Sequence, residues 1–363
     1  MKKEICFTIP SEDNKSGIVK VVVSLVNLLS MSNKYKITLL SMSNKSMDIL
    51  PLKDDINIIR MPLKNKTNKI SRLVDLTVCL LDLFRKYVPD ILVVSGTEFV
   101  LPVSMAMKKK IRLVVWEHRN FYACPRFRLE WLGKRYALKR WNNVLCITKK
   151  DAVQYADYAG DAHKIIQIYN MNSVNIIRGE YNINSKKIVS CGYLDPIKGF
   201  DMLMLVAKKI FDKHNDWTWD IYGEGPEREN LKYLIDSYGL SKNVFLKGYC
   251  ENIKDIYKDY SFFVFTSRAE GLGMVMVEAL KAGLPVISFD IPCGPSDIIR
   301  DNINGFLVRP FDLSDMADKI IYLINNKDIR RKFSLKSDCY LSEFNSNIIM
   351  KKWNDFFMDK IKE

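Results

Sequence analysis

The chain has 363 residues, 48% of them hydrophobic, and a net charge of +14, which is enough apolar material for two ordinary cores. Residues 1–170 hold 29 Lys and Arg against 15 Asp and Glu, and residues 171–363 hold 27 of each. All the excess charge therefore sits in the first part, which points to an anionic partner met by that part alone. Eight cysteines stand singly without a CxxC pair, and the three histidines, His118, His163 and His214, show no metal-ligand spacing. That excludes a disulfide framework and a zinc site and suits reduced thiols in a cytosolic protein.

The opening MKKEICFTIPSEDN has too short an apolar run for a signal core and reads as a first strand over 4–9. Further strands are expected at 36–41, 91–95, 112–116, 144–147, 165–168, 187–191, 218–222, 244–246, 261–265 and 285–289. They are short, β-branched and continuously apolar, as strands buried on both faces of a parallel sheet are. Helices are expected at 17–31, 70–86, 199–213, 227–238, 273–282 and 312–325. The alternation predicts α/β layers with doubly wound parallel sheets. The pattern pauses at the Asn-rich stretch 169–187 and restarts. It divides the chain into two Rossmann-like domains, 1–170 and 171–345, facing each other across a cleft, with a last amphipathic helix, 346–363, crossing back to the first. The longest apolar run, 91–107, carries Gly96, Glu98 and Pro102 and falls short of the ~20 residues a membrane-spanning helix needs.

In open α/β sheets ligands bind beyond the carboxyl ends of strands, so the loops there carry the candidates. In TIPSEDNKSGIVK, Gly17 opens a helix where amides can approach a phosphate, though one glycine is also ordinary turn chemistry. In VVWEHRN, His118 follows a strand and suits a hydrogen bond to a sugar or phosphate, or proton transfer. The alternative is a capping or core histidine. The stretch 119–140 has seven basic residues and one acid among aromatic ones. It reads as a surface for anionic lipid headgroups, or as an ordinary amphipathic helix. In CGYLDPIKGFD, Gly192 begins a turn that ends at Lys198, a cation suited to phosphate unless it is merely solvated. In IYGEGPE, Gly223 permits close passage of a ligand or makes a plain βα turn.

The segment 266–301 is the most informative. Glu270 and Glu278 stand eight positions apart around Gly271, Leu272 and Gly273, at a strand-to-helix junction. Glycines free the amides to hold negative charge at a helix start. Glu270 would accept from hydroxyls, and Glu278, an acid in the apolar helix MVMVEAL, is expected to be buried at a cost that a ligand or an internal salt bridge relieves.

The motifs CGYLDPIKGFD (191–201), IYGEGPERENL (221–231), SRAEGLGMVMVEALKAGLPVISFD (267–290) and CGPSDII (293–299) come in this order. Together they resemble the retaining glycosyltransferases of family 4, which have the GT-B fold. The N-terminal half matches through Gly17 and the WEH at His118. The resemblance implies a hexosyltransferase that takes a nucleotide-sugar, UDP-linked, as co-substrate, with no cofactor and no metal. Glu278 would hold the ribose. Glu270 and the amides of Gly271, Leu272 and Gly273 would meet sugar and diphosphate, and Lys198 would neutralise phosphate. Gly17, Gly192 and Gly223 would line the donor, with His118 near the transferred sugar. Glu270, His118 and Lys198 are the expected catalytic set. Where the family has arginine after Gly192, this chain has Tyr193, so Arg268 or Arg119 is expected to supply the missing cation. The implied acceptor is a growing surface polysaccharide such as an O-antigen, capsule or lipopolysaccharide chain. It would be carried on a polyprenyl diphosphate and reached from the cytoplasmic side of an anionic membrane. A sugar-nucleotide epimerase, a phosphorylase and a non-catalytic binding protein are the rivals. No nucleic-acid partner is expected, because no such motif is present.

Overall fold

A computed structural model describes residues 2–11, 16–43, 51–64, 68–107, 111–123, 128–171, 176 and 178–359. Parts of four expected features lie outside them: residues 12–15 of the first loop, 124–127 (Arg126 among them) of the basic stretch, 172–175 and 177 of the linker, and 360–363 of the last helix. The chain forms two compact units, Met1–Ser173 with Ser346–Glu363, and Val174–Asn345.

The first unit is a seven-stranded parallel sheet. Its strands are β1 (Lys3–Ile9), β2 (Tyr35–Ser41), β3 (Asn57–Arg60), β4 (Ile91–Ser95), β5 (Arg112–Glu117), β6 (Asn143–Cys146) and β7 (Ile165–Gln167), ordered β3-β2-β1-β4-β5-β6-β7. The order reverses between β1 and β4. Its helices are α1 (Gly17–Met31), α2 (Lys69–Lys86), α3 (Val100–Ala106), α4 (Leu129–Arg140) and α5 (Lys149–Ala159). Alternate strand residues such as Cys6, Leu92, Val94 and Val115 share one core with Leu80 and Phe84 of α2, Val103 of α3, Leu138 of α4 and Tyr155 of α5. Helices α2 to α5 thus cover one face, as right-handed crossovers require. The other face is covered by α1 and the C-terminal helix Ser346–Phe357, whose Trp353 meets Trp116 at 4.9 Å and Phe7 at 6.0 Å between ring centroids.

The second unit is a six-stranded parallel sheet of β8 (Lys187–Cys191), β9 (Thr218–Tyr222), β10 (Val244–Gly248), β11 (Phe262–Phe265), β12 (Val286–Phe289) and β13 (Gly305–Val308), ordered β10-β9-β8-β11-β12-β13. Its helices are α6 (Phe200–Phe211), α7 (Arg228–Ser237), α8 (Ile253–Ile256), α9 (Met274–Lys281), α10 (Pro295–Ile298), α11 (Leu313–Asn325) and α12 (Lys327–Leu335). Strands β8 and β11 pair side by side although 70 residues separate them, so the switch point falls between them. The loops that follow these two strands are neighbours for that reason.

Two strands escaped the sequence reading. β3, NIIR, is a half-exposed edge strand whose two isoleucines stand between Asn57 and Arg60, and β13 opens on a glycine. Among the described residues no helix is long and apolar enough to cross a membrane.

Candidate active site

At the switch point of the second unit the loop after β8 turns through Pro196–Lys198. Asp195 accepts the Lys198 amide at 3.1 Å and fixes the turn. The loop after β11 runs alongside, and the two are tied by the Arg268 amide donating to the Ile197 carbonyl at 2.7 Å and by Thr266 Oγ1 donating to the Lys198 carbonyl at 3.2 Å. These ties bring Lys198 and Glu270 together. Lys198 Nζ donates to Glu270 Oε1 at 2.6 Å, and the buried Ser267 hydroxyl donates to the same oxygen at 2.8 Å. The lysine is 25% exposed and the carboxylate 11%, so a cation and an anion sit paired at a half-open edge. Just beyond, α9 starts at Gly273 without a side-chain cap, leaving helix-start amides that suit an anion.

Glu278 lies on α9 between the buried Met276, Val277, Ala279 and Leu280 but is itself only half-buried. The sequence reading of a fully buried acid is corrected by helical periodicity: position 278 falls on the open side of an otherwise internal helix. Its carboxylate is near the end of β8. Burial pushes the Cys191 thiol up to about 12, opposed by the hydrogen bond with Tyr257 and reinforced by the charge of Glu278. Gly192 follows Cys191. Gly223 is there because of close approach: a Cβ on it would stand 1.8 Å from the Gly192 carbonyl oxygen. Its role is to let two βα loops touch, which a ligand-binding reading of GxG alone does not reveal. Leu272 is buried, so only its backbone can face a ligand.

Arg268 departs from expectation. Its guanidinium donates to both Asp201 oxygens, at 2.7 and 2.6 Å, and to the Pro196 carbonyl at 2.6 Å. That hydrogen bonding holds the Asp201 carboxyl below the usual carboxylate range. A planar fork satisfied in this way is engaged inside the unit, so Arg268 staples the two loops. The sequence signal for its partner was an aspartate in the first turn of α6, and it was missed. Tyr193, where the extra cation was sought, is 61% exposed.

In the first unit Gly17 begins α1, and a Cβ on it would meet nothing within 4 Å. Among the described residues no contact demands a glycine there. His118 follows β5, is 8% exposed and lies against Trp116 at 4.5 Å between ring centroids. Neither ring nitrogen has a hydrogen-bond partner among the described residues. Burial pushes its pKa down to about 3, so the ring is neutral at physiological pH, able to donate through one nitrogen and accept through the other. The basic stretch is divided by the fold. Lys134 is buried, donates to the Phe121 carbonyl at 2.8 Å and lies over the rings of Phe121 and Tyr155 at 4.8 and 5.1 Å. Lys134, Phe121 and Trp131 are therefore internal cation–π packing and not a lipid-facing surface. Among the described residues no group of three or more His, Cys, Asp or Glu is arranged to hold a metal ion.

Two doubly wound parallel sheets of this order, with the loops of the second carrying Lys198, Glu270 and Glu278, make up the GT-B fold. The sequence profile described as glycosyl transferases group 1 matches residues 174–337, nearly all of the second unit. More particularly, the chain is similar to the poly(ribitol-phosphate) alpha-N-acetylglucosaminyltransferase of Staphylococcus aureus (strain COL), 32% identical over 66% of this chain and 48% of that protein. It thus spans about half the length of that relative. It also aligns with an uncharacterized glycosyltransferase of Haemophilus influenzae, 26% identical over 97% of this chain and 99% of that one. Among solved structures, S. aureus TarM superposes with a TM-score of 0.83 at 19% identity, covering 98% of this chain and 99% of that one.

Proposed function

We propose that the protein is a retaining glycosyltransferase of family 4. It moves a hexose from a UDP-linked donor to a surface polysaccharide acceptor carried on a polyprenyl diphosphate, working at the cytoplasmic face of an anionic membrane. The observation that carries this reading is the Lys198–Glu270 pair at the switch point, 2.6 Å long and half-open, with Glu278 on the next helix. The names of relatives support the acceptor class: one acts on poly(ribitol-phosphate), and another is an amylovoran biosynthesis glycosyltransferase.

In this reading Glu278 binds the ribose hydroxyls, as an acid binds ribose in dinucleotide sites. The diphosphate takes Lys198 Nζ and the amides of Gly271, Leu272 and Gly273 at the start of α9, with Gly192 and Gly17 admitting it closely. Charge that develops on the leaving phosphate is met by groups already in place, without a metal ion. Glu270, displaced from Lys198 by the phosphate, takes the hydroxyls of the sugar. The acceptor hydroxyl attacks from the face the diphosphate leaves, passing its proton to the leaving phosphate, so the anomeric configuration is retained. His118, neutral, hydrogen-bonds the transferred sugar.

The test is product analysis by mass spectrometry with a panel of nucleotide-sugars, with and without a lipid-linked glycan acceptor, in the presence and absence of EDTA. A new α-linked glycoside formed only with acceptor, and unaffected by EDTA, is expected. An isomerised nucleotide-sugar without acceptor would mark an epimerase instead, and a dependence on inorganic phosphate a phosphorylase.

A further inference from the structure

Three neighbouring helices of the first unit share an unusual outer face. On α2, Ile70, Val74 and Val78 recur every four residues and are 68, 57 and 50% exposed. On α4, Leu129, Leu132 and Tyr136 follow at three- and four-residue steps and are 43, 50 and 41% exposed. Such spacings put each set on one side of its helix. Helix α3 lies between α2 and α4, touching both, and shows Met105 at 65% exposure. All three cover the same face of the sheet, so their outer sides point the same way. Exposed apolar residues scattered singly are ordinary, but seven on three adjacent helices form a patch of the kind that marks a contact surface.

The charges beside the patch select the occupant. On and beside α4, Arg128, Arg135, Lys139 and Arg140 are exposed, while its one acid, Glu130, is half-buried. On α2 Arg72, Arg85 and Lys86 are exposed, the exposed Asp82 pairs with Arg85 at 2.9 Å, and the other acid, Asp75, is half-buried. A second copy of this chain fits poorly, since a twofold contact would set the same arginines against one another. A nucleic acid fits poorly too, since apolar stripes would face its phosphates. A bilayer surface rich in anionic lipid offers both chemistries: acyl boundary for the stripes and headgroup charge for the basic rim.

We propose that the outer face of α2, α3 and α4 docks on an anionic membrane surface through Ile70, Val74, Val78, Met105, Leu132 and Tyr136. This gives the proposed lipid-linked acceptor a physical location, and in that sense rests on it, but the docking does not require the donor site. It also moves the surface: residues 119–140 pointed at the aromatics, whereas Phe121 and Trp131 are inside and the stripe on α2 carries half the patch.

The full chain is sedimented with vesicles of phosphatidylcholine alone and of phosphatidylcholine with phosphatidylglycerol. Three proteins are compared: wild type, a Val74→Glu/Leu132→Glu variant, and an Arg135→Glu/Lys139→Glu/Arg140→Glu variant. Thermal shift with UDP is run on each, because these positions belong to the first unit and Lys198 to the second. Wild type is expected to bind the anionic vesicles only, and each variant to lose about tenfold or more in binding with its UDP response unchanged. Failure of wild type to sediment, or variants that sediment as wild type does, overturns the proposal. So does a dimer in sedimentation velocity that Val74→Glu/Leu132→Glu dissolves. Vesicle binding without any UDP response would leave the docking face standing and remove the transferase reading instead.

Discussion

Lys198 Nζ and Glu270 hold each other at 2.6 Å, and the proposed function gives each a separate job once a donor arrives. Replacing Lys198 by alanine removes a charge-assisted contact of about 1.5–3 kcal/mol, which corresponds to UDP binding weakened about 10- to 100-fold. Glu270→Gln removes the anion that competes for the same ammonium. UDP is expected to bind that variant as tightly as wild type or more so, while turnover falls. Calorimetric titration with UDP checks both, and equal weakening by the two substitutions would separate the pair from the phosphate site. His118 gives a second residue-level expectation. Its folded pKa, about 3, is below the ordinary 6.5. Between those values the unfolded chain binds the extra proton, so stability is complete above about pH 6.5 and is lost as pH falls. The melting temperature of wild type should drop more between pH 7 and pH 5 than that of His118→Phe. Parallel curves for the two proteins would mean that the ring is hydrated.

The strand–helix alternation and the five loops were legible because parallel strands are apolar throughout and βα loops collect the glycines and charges. β3 was not legible, since an edge strand needs only a half-buried pattern. Nor was the partner of Arg268, since Asp201 is 67 residues away in sequence and only the β8–β11 pairing makes them neighbours. That pairing sets an element-level test. The Arg268–Asp201 pair is more than a third exposed, so losing it should cost stability no more than about 1 kcal/mol. Its geometric effect should be larger. Arg268→Ala loosens one loop against the other and is expected to raise KM for the donor and lower kcat together, with Arg268→Lys rescuing only in part because an ammonium cannot fork. Steady-state kinetics beside thermal melts check this, and unchanged kcat and KM in Arg268→Ala would mean that the pair does not position the loops. Two glycines give the matching contrast. Gly223→Ala drives a Cβ toward the Gly192 carbonyl and should cost about 1–3 kcal/mol in backbone strain. Gly17→Ala meets open space and should leave stability within about 0.5 kcal/mol while impairing turnover.

At the scale of the whole molecule, two fields compete for an anion. Residues 1–170 carry the entire +14 and residues 171–363 sum to zero. A diphosphate drawn by net charge would settle on the first unit, whereas one held by a built site would settle on the second unit, where cations and anions nearly balance. Each mode responds differently to salt. Exposed charges more than a Debye length apart, about 10 Å at 0.1 M, are screened, while a partly buried contact is screened much less. Lys198 and Glu270 are 25% and 11% exposed, and Arg135, Lys139 and Arg140 of α4 are on the surface. Raising salt should therefore leave UDP affinity nearly unchanged while it strips the protein from anionic vesicles. Hydrogen exchange with saturating UDP should slow amides in 192–199 and 267–274 and leave those of α2 and α4 at their free rates. Protection confined to the first unit, together with a UDP affinity that falls steeply with salt, would mean that the nucleotide follows the net charge and that the pair at the switch point serves only the fold.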